Sequence, residues 1–525
     1  MVMSMIRSEK RKKVAREVLE RLLEEDIPRE DVHRLKTEIA SEHGCKIPSN
    51  EEVLELASGD ERKGVVKRLM RRPSRSKSGV SVIAVMSSPE ECPHGVCLYC
   101  PRDDGAPQSY VDNEPAVMRA QQNRFDPYEQ TKRRLEQLEL TGHHANKVEM
   151  IVMGGTFPAR DWTYQKKFVR GCFDALNGEV SSSLCEAKRK NEDADHRCVG
   201  LTVETRPDYC KEKEIKRMLD LGATRTEVGV QIPDDKLYDR VNRGHTVEDV
   251  VESTRLLKDS GFKVTYHYMP GLPGSTVEKD MEYFKKLFED ERFMPDSLKI
   301  YPTLVIENSE LEELYNEGEY EPYDDEELVD LLVGMRSEIP PWVRVMRLHR
   351  DVPVQTIAAG CKKSNLRQIV SREMEDRGVD CRCIRCREVG RVDKDISNLD
   401  FGLVKRSYPA SGGTDYFLSF EDRDEDVIAA LLRLRIPDEP FIEVLNKETG
   451  IVRELHVYGP EVPVGGSERI QHKGYGERLL KKAEKIAASE GMDKLAVISG
   501  VGARNYYREF GYRLEGPYML KDLDC

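Results

Sequence analysis

The stretch Cys92-Pro-His-Gly-Val-Cys97-Leu-Tyr-Cys100 follows directly on a β-rich run, Val80–Met86. Three thiols so close together converge on one centre only if their loop wraps around it. A three-cysteine set also leaves one iron of a four-iron cluster open to chelate a small molecule. The plainer readings are a zinc knuckle short of a ligand, or buried thiols without metal. Position argues against both, because the end of a first strand is where βα folds build active sites. Outward from this loop, further β-rich runs occur at Val148–Met153, Val199–Val203, Glu227–Gln231, Val264–Tyr268 and Leu298–Tyr301. Amphipathic segments alternate with them, among them Pro127–Glu139, Lys211–Leu221 and Val247–Ser260. That alternation predicts an α/β fold of parallel βα units, as a barrel, a partial barrel or an open sheet.

The chain has 525 residues, and at roughly 100–200 residues per domain that is about three domains. Apolar residues are 38% and charged residues 34% of the chain, polar but compatible with packed cores. The net charge of −13 argues against a uniformly basic nucleic-acid-binding surface. No apolar run reaches the roughly 20 residues of a membrane helix, and the N-terminus has no secretory apolar region. The expectation is a cytoplasmic protein with no membrane partner. Thirteen cysteines, six of them in two tight clusters, then read as metal sites rather than disulfides.

Charge is unevenly spread. Arg7–Arg16 holds six bases to one acid, and Arg62–Lys77 holds eight bases and no acid, including Arg68, Arg71, Arg72, Arg75 and Lys77. A charge run is usually a solvated face. Two unbalanced basic runs in an acidic chain point to an anionic partner. Helices are expected around Val14–Leu23 and Val32–Ile39, and from Ser49-Asn50 onward, where Glu51-Glu52 suits a helix N-terminus.

The second cysteine cluster, Cys381-Arg-Cys383-Ile-Arg-Cys386, lies in a connector rich in Cys, Arg and Lys. Three soft ligands on one turn suit structural zinc, which needs a fourth; Cys361 and His349 both qualify. In the last unit, strand candidates Tyr416–Phe420, Ile428–Leu434, Val452–Val457 and Lys494–Ile498 surround Gln471-His472-Lys-Gly474-Tyr475-Gly476 at the start of an amphipathic helix. Glycines at a helix start expose N–H groups to an anion, which suits a pyrophosphate.

These motifs carry resemblances. The triad ending C-x-Y-C resembles the radical S-adenosylmethionine (SAM) superfamily, although its first gap is four residues where three is usual. This implies a 4Fe-4S cluster on Cys92, Cys97 and Cys100, with SAM against Gly154, Gly155 and Thr156 and near Glu204 and Gln231. Glu204 and Gln231 are equally serviceable as hydrogen-bonded strand ends, and His267 reads more readily as a core histidine. The terminal unit resembles the Gcn5-related N-acetyltransferase (GNAT) family. This implies acetyl-CoA on Gln471, His472, Gly474, Tyr475 and Gly476, with Asn505 among its contacts. Tyr507, four residues before Gly511-Tyr512, matches the family's acid for the departing thiolate; Tyr506 is a second candidate, with core packing as its alternative.

Together with ETRPDYC, YHYMPGLPGS, LKIYPTLVIE and CRCIRCREVG, the combination resembles the catalytic subunit of the Elongator family in its single-subunit archaeal or bacterial form. The resemblance implies a basic helical tRNA-binding segment (1–78), a radical SAM partial βα barrel (79–335), a zinc linker (336–410) and a GNAT domain (411–525). It implies carboxymethylation of carbon 5 of the wobble uridine in the tRNA anticodon loop, by a SAM-derived radical and acetyl-CoA. Lys299 and Tyr301 become mouth residues, Arg382, Arg385 and Arg387 phosphate contacts, and an electron donor is required. A homodimer stays open. Competing classes are a protein lysine acetyltransferase with a structural cluster, a tRNA-binding scaffold without turnover, and a methylthiotransferase, which gives no reason for an acyl-CoA unit.

Overall fold

The computed structural model describes residues 2–70, 78–143, 145–392, 398–459 and 474–523. Its N-terminal unit is four helices: α1 (Val2–Glu24), α2 (Val32–Glu42), α3 (Asn50–Leu56) and α4 (Gly59–Leu69). Val14, Val18, Leu19 and Leu22 of α1 are buried with Leu35, Ile39, Leu54 and Val65 in a small core of their own. Ser49 and Glu52 close a reciprocal cap on α3, satisfying two N–H groups that a helix start leaves unpaired.

The central unit contributes β1 (Ser81–Met86), β2 (Lys147–Met153), β3 (Arg197–Thr205), β4 (Arg225–Gln231), β5 (Lys263–Tyr268), β6 (Ser297–Ile300), β7 (Val305–Ile306), β8 (Arg344–Arg347) and β9 (Ile357–Ala359). Seven of these form one sheet in the order β1-β2-β3-β4-β5-β6-β8. Every pairing in it is parallel. This is the expected partial βα barrel. The strand it gains over the sequence expectation, β8, comes from Arg344–Arg347, inside the stretch read as a connector. Strands β7 and β9 pair with each other outside the sheet.

The C-terminal unit is a second seven-stranded sheet, built from β10 (Gly402–Ala410), β11 (Gly413–Asp422), β12 (Val427–Ile436), β13 (Thr449–Val457), β14 (Lys494–Val497), β15 (Arg513–Glu515) and β16 (Tyr518–Asp522). Its ladders are antiparallel except β13–β14. The helix Tyr475–Ser489 packs on it through Leu479, Leu480, Ala483 and Ile486.

The two sheets are joined by a buried ionic network. Asp415 accepts from Lys258 at 2.8 Å and from Arg453 at 2.9 Å, and Arg453 also donates to Asp296 at 2.6 Å. Arg435 donates to Asp259 at 2.7 Å. Lys258, Asp259 and Asp296 lie at the N-terminal ends of β5 and β6, so the second sheet docks under the barrel, opposite the cysteine loop. Asp259, Arg435 and Arg453 are 1% exposed or less, and such charges are tolerated only because each is paired.

Candidate active site

The loop after β1 buries Cys97 and Cys100 and leaves Cys92 half-buried. His94 Nε2 lies 3.1 Å from Cys97 Sγ, and Arg243 Nη1 donates to the same sulfur at 3.5 Å. Arg243 is itself fixed by the Gly229 carbonyl at 2.6 Å. A hydrogen bond from Cys100, with Arg243 and His94 adding to it against burial, holds the Cys97 thiol well below its ordinary range. Among the described residues, the thiol trio whose sulfurs all lie within 4.8 Å of one another is Cys381, Cys383 and Cys386, not this one. A single zinc with Zn–S near 2.3 Å needs the tight arrangement; the looser trio fits a multi-iron cluster.

The turn after β2 runs against this loop. Gly154 has φ 121°, and a Cβ there would lie 2.3 Å from Ser87 Oγ, so only glycine fits. Thr156 Oγ1 is 3.9 Å from Cys92 Sγ. At Gly155, where a Cβ would lie 3.8 Å from Cys92 Sγ, bare backbone passes beside that thiol.

Inside the barrel, Glu204 accepts from Tyr110 Oη at 2.6 Å and lies 3.6 Å from Lys299 Nζ. Lys299 also donates to Glu227, whose Oε2 is 2.9 Å from His267 Nε2. Burial opposes charge on Glu227, yet Lys299 and His267 hold its carboxyl well below the usual range. Glu204, Glu227 and His267 bring donor atoms within 4.8 Å of one another, but Lys299 already supplies the positive charge that a metal would bring. Tyr301 meets His267 edge-on at 5.3 Å. His267 is thus half-buried and hydrogen-bonded to Glu227 rather than an unpartnered core histidine. Glu227 was not singled out from sequence; its signal was a carboxylate opening the β-rich run Glu227–Gln231. Gln231 ends β4 at φ 67° with a buried, unpartnered Oε1.

In the C-terminal unit, β13 and β14 pair only up to Val452 and Val497, while β13 runs on to Val457. The strands splay beyond that point. Gly474 caps the helix Tyr475–Ser489, and a Cβ on Gly476 would lie 2.5 Å from Tyr506 Oη. Tyr507 is 6% exposed, and burial raises its phenol above the ordinary value. Tyr475 instead packs in the core against Phe420, ring centroids 4.4 Å apart. The Asn505 amide is engaged by Asp193 at 2.7 Å and the Glu192 carbonyl at 3.2 Å. Gln471, His472, Arg71, Arg72, Arg75 and Lys77 lie outside the described residues.

One cavity of about 1250 Å³ runs from the barrel wall to the glycine turn of the C-terminal unit; it meets the cysteine loop at Tyr99, and its lining includes none of Cys92, Cys97, Cys100, Gly154 and Gly155. It is lined by Tyr99, Glu204, Gln231 and Lys299 on the barrel side, and by Gly474, Gly476, Tyr506 and Tyr507 on the other. Arg119 and Arg134 stand on one flank, and Arg347, Arg385 and Arg391 on the other. Of the predicted phosphate contacts among the described residues, only Arg385 lines it. Arg382 pairs with Asp426 at 3.1 Å, and Arg387 is buried against Glu421 at 2.6 Å. Arg68 donates to the carbonyls of Glu25 and Gly64. Cys383 and Cys386 sulfurs lie 3.6 Å apart. Neither Cys361 nor His349 belongs to that thiol group.

A half-barrel with a three-cysteine loop, fused to a splayed acyltransferase sheet across one cavity, defines a radical SAM–acetyltransferase. Family models agree: the radical SAM superfamily matches residues 86–287, the radical SAM C-terminal domain 295–376, the ELP3 N-terminal domain 11–77 and the GNAT acetyltransferase family 398–512. The chain is 49% identical over 534 residues to the tRNA uridine(34) acetyltransferase of Methanocaldococcus jannaschii, covering 98% of each. It is 44% identical to human Elongator complex protein 3, covering 94% of this chain and 93% of that one. The solved structure of Methanocaldococcus infernus Elp3 lacking its N-terminus superposes with a TM-score of 0.77 at 48% identity, covering 85% of this chain and all of that one. The chain belongs to the tRNA uridine(34) acetyltransferase family, that of Elongator complex protein 3. No described helix is long and apolar enough to cross a membrane.

Proposed function

We propose that the protein adds a carboxymethyl group to carbon 5 of the wobble uridine of tRNA, drawing the two carbons from acetyl-CoA. The observation that carries this reading is the single cavity shared by barrel and acyltransferase sheet. Carbon 5 of uracil is a poor partner for an unactivated acetyl group, so acyl transfer alone does not make the bond. When bound, the cluster and SAM supply a radical able to take hydrogen from the acetyl methyl.

The chain's own residues do the rest. Cys92, Cys97 and Cys100 hold the cluster, with Arg243 stabilising sulfur charge. The Gly154-Gly155 backbone, Glu204 and Gln231 orient SAM. Gly474 and Gly476 present N–H groups to the CoA pyrophosphate. Tyr507, kept neutral by burial, gives its proton to the CoA thiolate when the thioester is hydrolysed. The flanking arginines take RNA phosphates, and an unpaired anticodon base enters without opening a duplex. Cys381, Cys383 and Cys386 suit a structural zinc beside that path. The protein works in the cytoplasm with a separate electron donor.

The test is anaerobic reconstitution with SAM, labelled acetyl-CoA and tRNA, followed by nucleoside analysis. Label is expected in 5-carboxymethyluridine. Cys97→Ser abolishes it while tRNA affinity stays within a few-fold. Peptide acetylation that persists in Cys97→Ser, with no labelled nucleoside from the wild type, would favour the lysine acetyltransferase reading.

A further inference from the structure

Joining a carbon to C5 of uracil leaves that position with one hydrogen too many. As the acetyl-derived radical adds across the C5–C6 double bond, the new bond forms at C5 and the unpaired electron settles on C6. The double bond returns only when the adduct loses that electron to an oxidant of the iron–sulfur class and the C5 hydrogen leaves as a proton. The electron pair of the broken C5–H bond then rebuilds the double bond, so a proton acceptor must stand beside the base. We propose that His267 takes this proton on Nδ1, with Glu227 holding the ring in the tautomer that allows it.

Three observations carry this. The first is the tautomer. Against its burial, Lys299 and His267 keep the Glu227 carboxyl ionised, so it only accepts. The proton shared at 2.9 Å therefore sits on His267 Nε2, and in the neutral ring the lone pair is on Nδ1. Among the described residues Nδ1 has no protein partner. The side chain is 17% exposed and lines the cavity.

The second is its place. Along the sheet His267 of β5 stands opposite Lys299 of β6, and the next residue, Tyr268, stands opposite Gln231 of β4. Lys299 in turn lies 3.6 Å from Glu204. His267 thus sits at the same end of the barrel as Glu204 and Gln231, the two residues assigned to SAM. The acetyl carbon that attacks uracil is the one from which the SAM-derived radical takes hydrogen, so C5 must come to that end as well.

The third is that the neighbouring groups are poor acceptors. Glu204 is engaged by Tyr110 and Lys299. Glu227 is a weak base for the same reason that it stays ionised. Burial keeps the phenols of Tyr110 and Tyr301 protonated, and against the cost of burial Glu227 keeps Lys299 charged. His456 also lines the cavity, but it belongs to β13 and its Nε2 lies 3.1 Å from the Ser78 carbonyl, at the end of the barrel away from Gln231.

The inference rests on the uridine reading above. His267→Gln keeps a donor for Glu227 and removes the acceptor. In the reconstituted enzyme with SAM, acetyl-CoA and tRNA, its release of 5′-deoxyadenosine is expected to stay within a few-fold of wild type, while carboxymethyluridine falls about 10²-fold or more. With deuterium at C5 of the wobble uridine, the residual product should form with a primary isotope effect. Wild-type yield from His267→Gln, equal loss of 5′-deoxyadenosine and product, or residual product without an isotope effect would overturn the proposal. A wild-type enzyme that makes no carboxymethyluridine would remove the uridine reading, and this inference with it; the variant bears on His267 alone. Should His267→Gln fail to fold, labelling of the wild-type protein with diethyl pyrocarbonate, mapped by mass spectrometry, decides. His267 is expected to react in the free protein and to be protected by substrate tRNA, but not by the same tRNA lacking its wobble base. Equal labelling with the two RNAs, or a ring unreactive in the free protein, would overturn it.

Discussion

Tyr507 and Glu227 are both buried, with opposite consequences. Burial, with Tyr506 adding to it, raises the Tyr507 phenol and keeps it protonated. Tyr507→Phe removes the acid but little volume, so product formation should fall by about 10²–10⁴-fold, read as single-turnover rates with acetyl-CoA affinity measured in parallel. Glu227 keeps its charge because Lys299 and His267 share it. Glu227→Gln leaves Lys299 buried with only Glu204, at 3.6 Å, and should cost about 3–5 kcal/mol of stability in denaturant unfolding. The cysteines, the glycine turns and Tyr507 could be singled out as candidates from sequence because their spacing is itself the signal. Glu227 was not, because its importance lies in meeting side chains from β5 and β6 that only the fold brings within reach. Asn505 fits a motif by position, yet the fold turns its amide to Asp193 on the neighbouring unit.

At the scale of elements, six barrel strands announced themselves as β-rich runs between amphipathic helices. β8 did not, because Arg344-Val-Met-Arg347 is short and charged and sits in a stretch dominated by basic residues. β10 hid for another reason: it contains Pro409, which a sheet accepts at its edge, and β10 is the edge strand. The junction between units depends on close backbone contact, where a Cβ on Gly500 would lie 2.1 Å from the Val199 carbonyl oxygen. Gly500→Ala should therefore shift the splay from β3 and cost about 1–3 kcal/mol, seen as a lower Tm together with weaker acetyl-CoA binding. The ionic network gives a pH signature. Burial lowers Lys258 from 10.5 to about 8, against the pull of Asp415. Between those values the unfolded chain binds more protons than the folded one, so stability should rise as pH rises from about 8 toward 10.5. Lys258→Met should flatten that rise, as followed by urea midpoints across the range.

For the whole molecule, the account requires that two chemistries usually kept in separate proteins act on one nucleotide. The barrel places the cysteine loop at its upper end, the acyltransferase sheet seals its lower end, and the cavity between them touches both. The most direct test uses acetyl-CoA deuterated in its methyl group, with unlabelled SAM and substrate tRNA, in the reconstituted enzyme. The account predicts one deuterium moving to 5′-deoxyadenosine and two remaining in the carboxymethyl group of the wobble uridine. Deuterium-free 5′-deoxyadenosine, or a modified uridine retaining all three deuteriums, would contradict it.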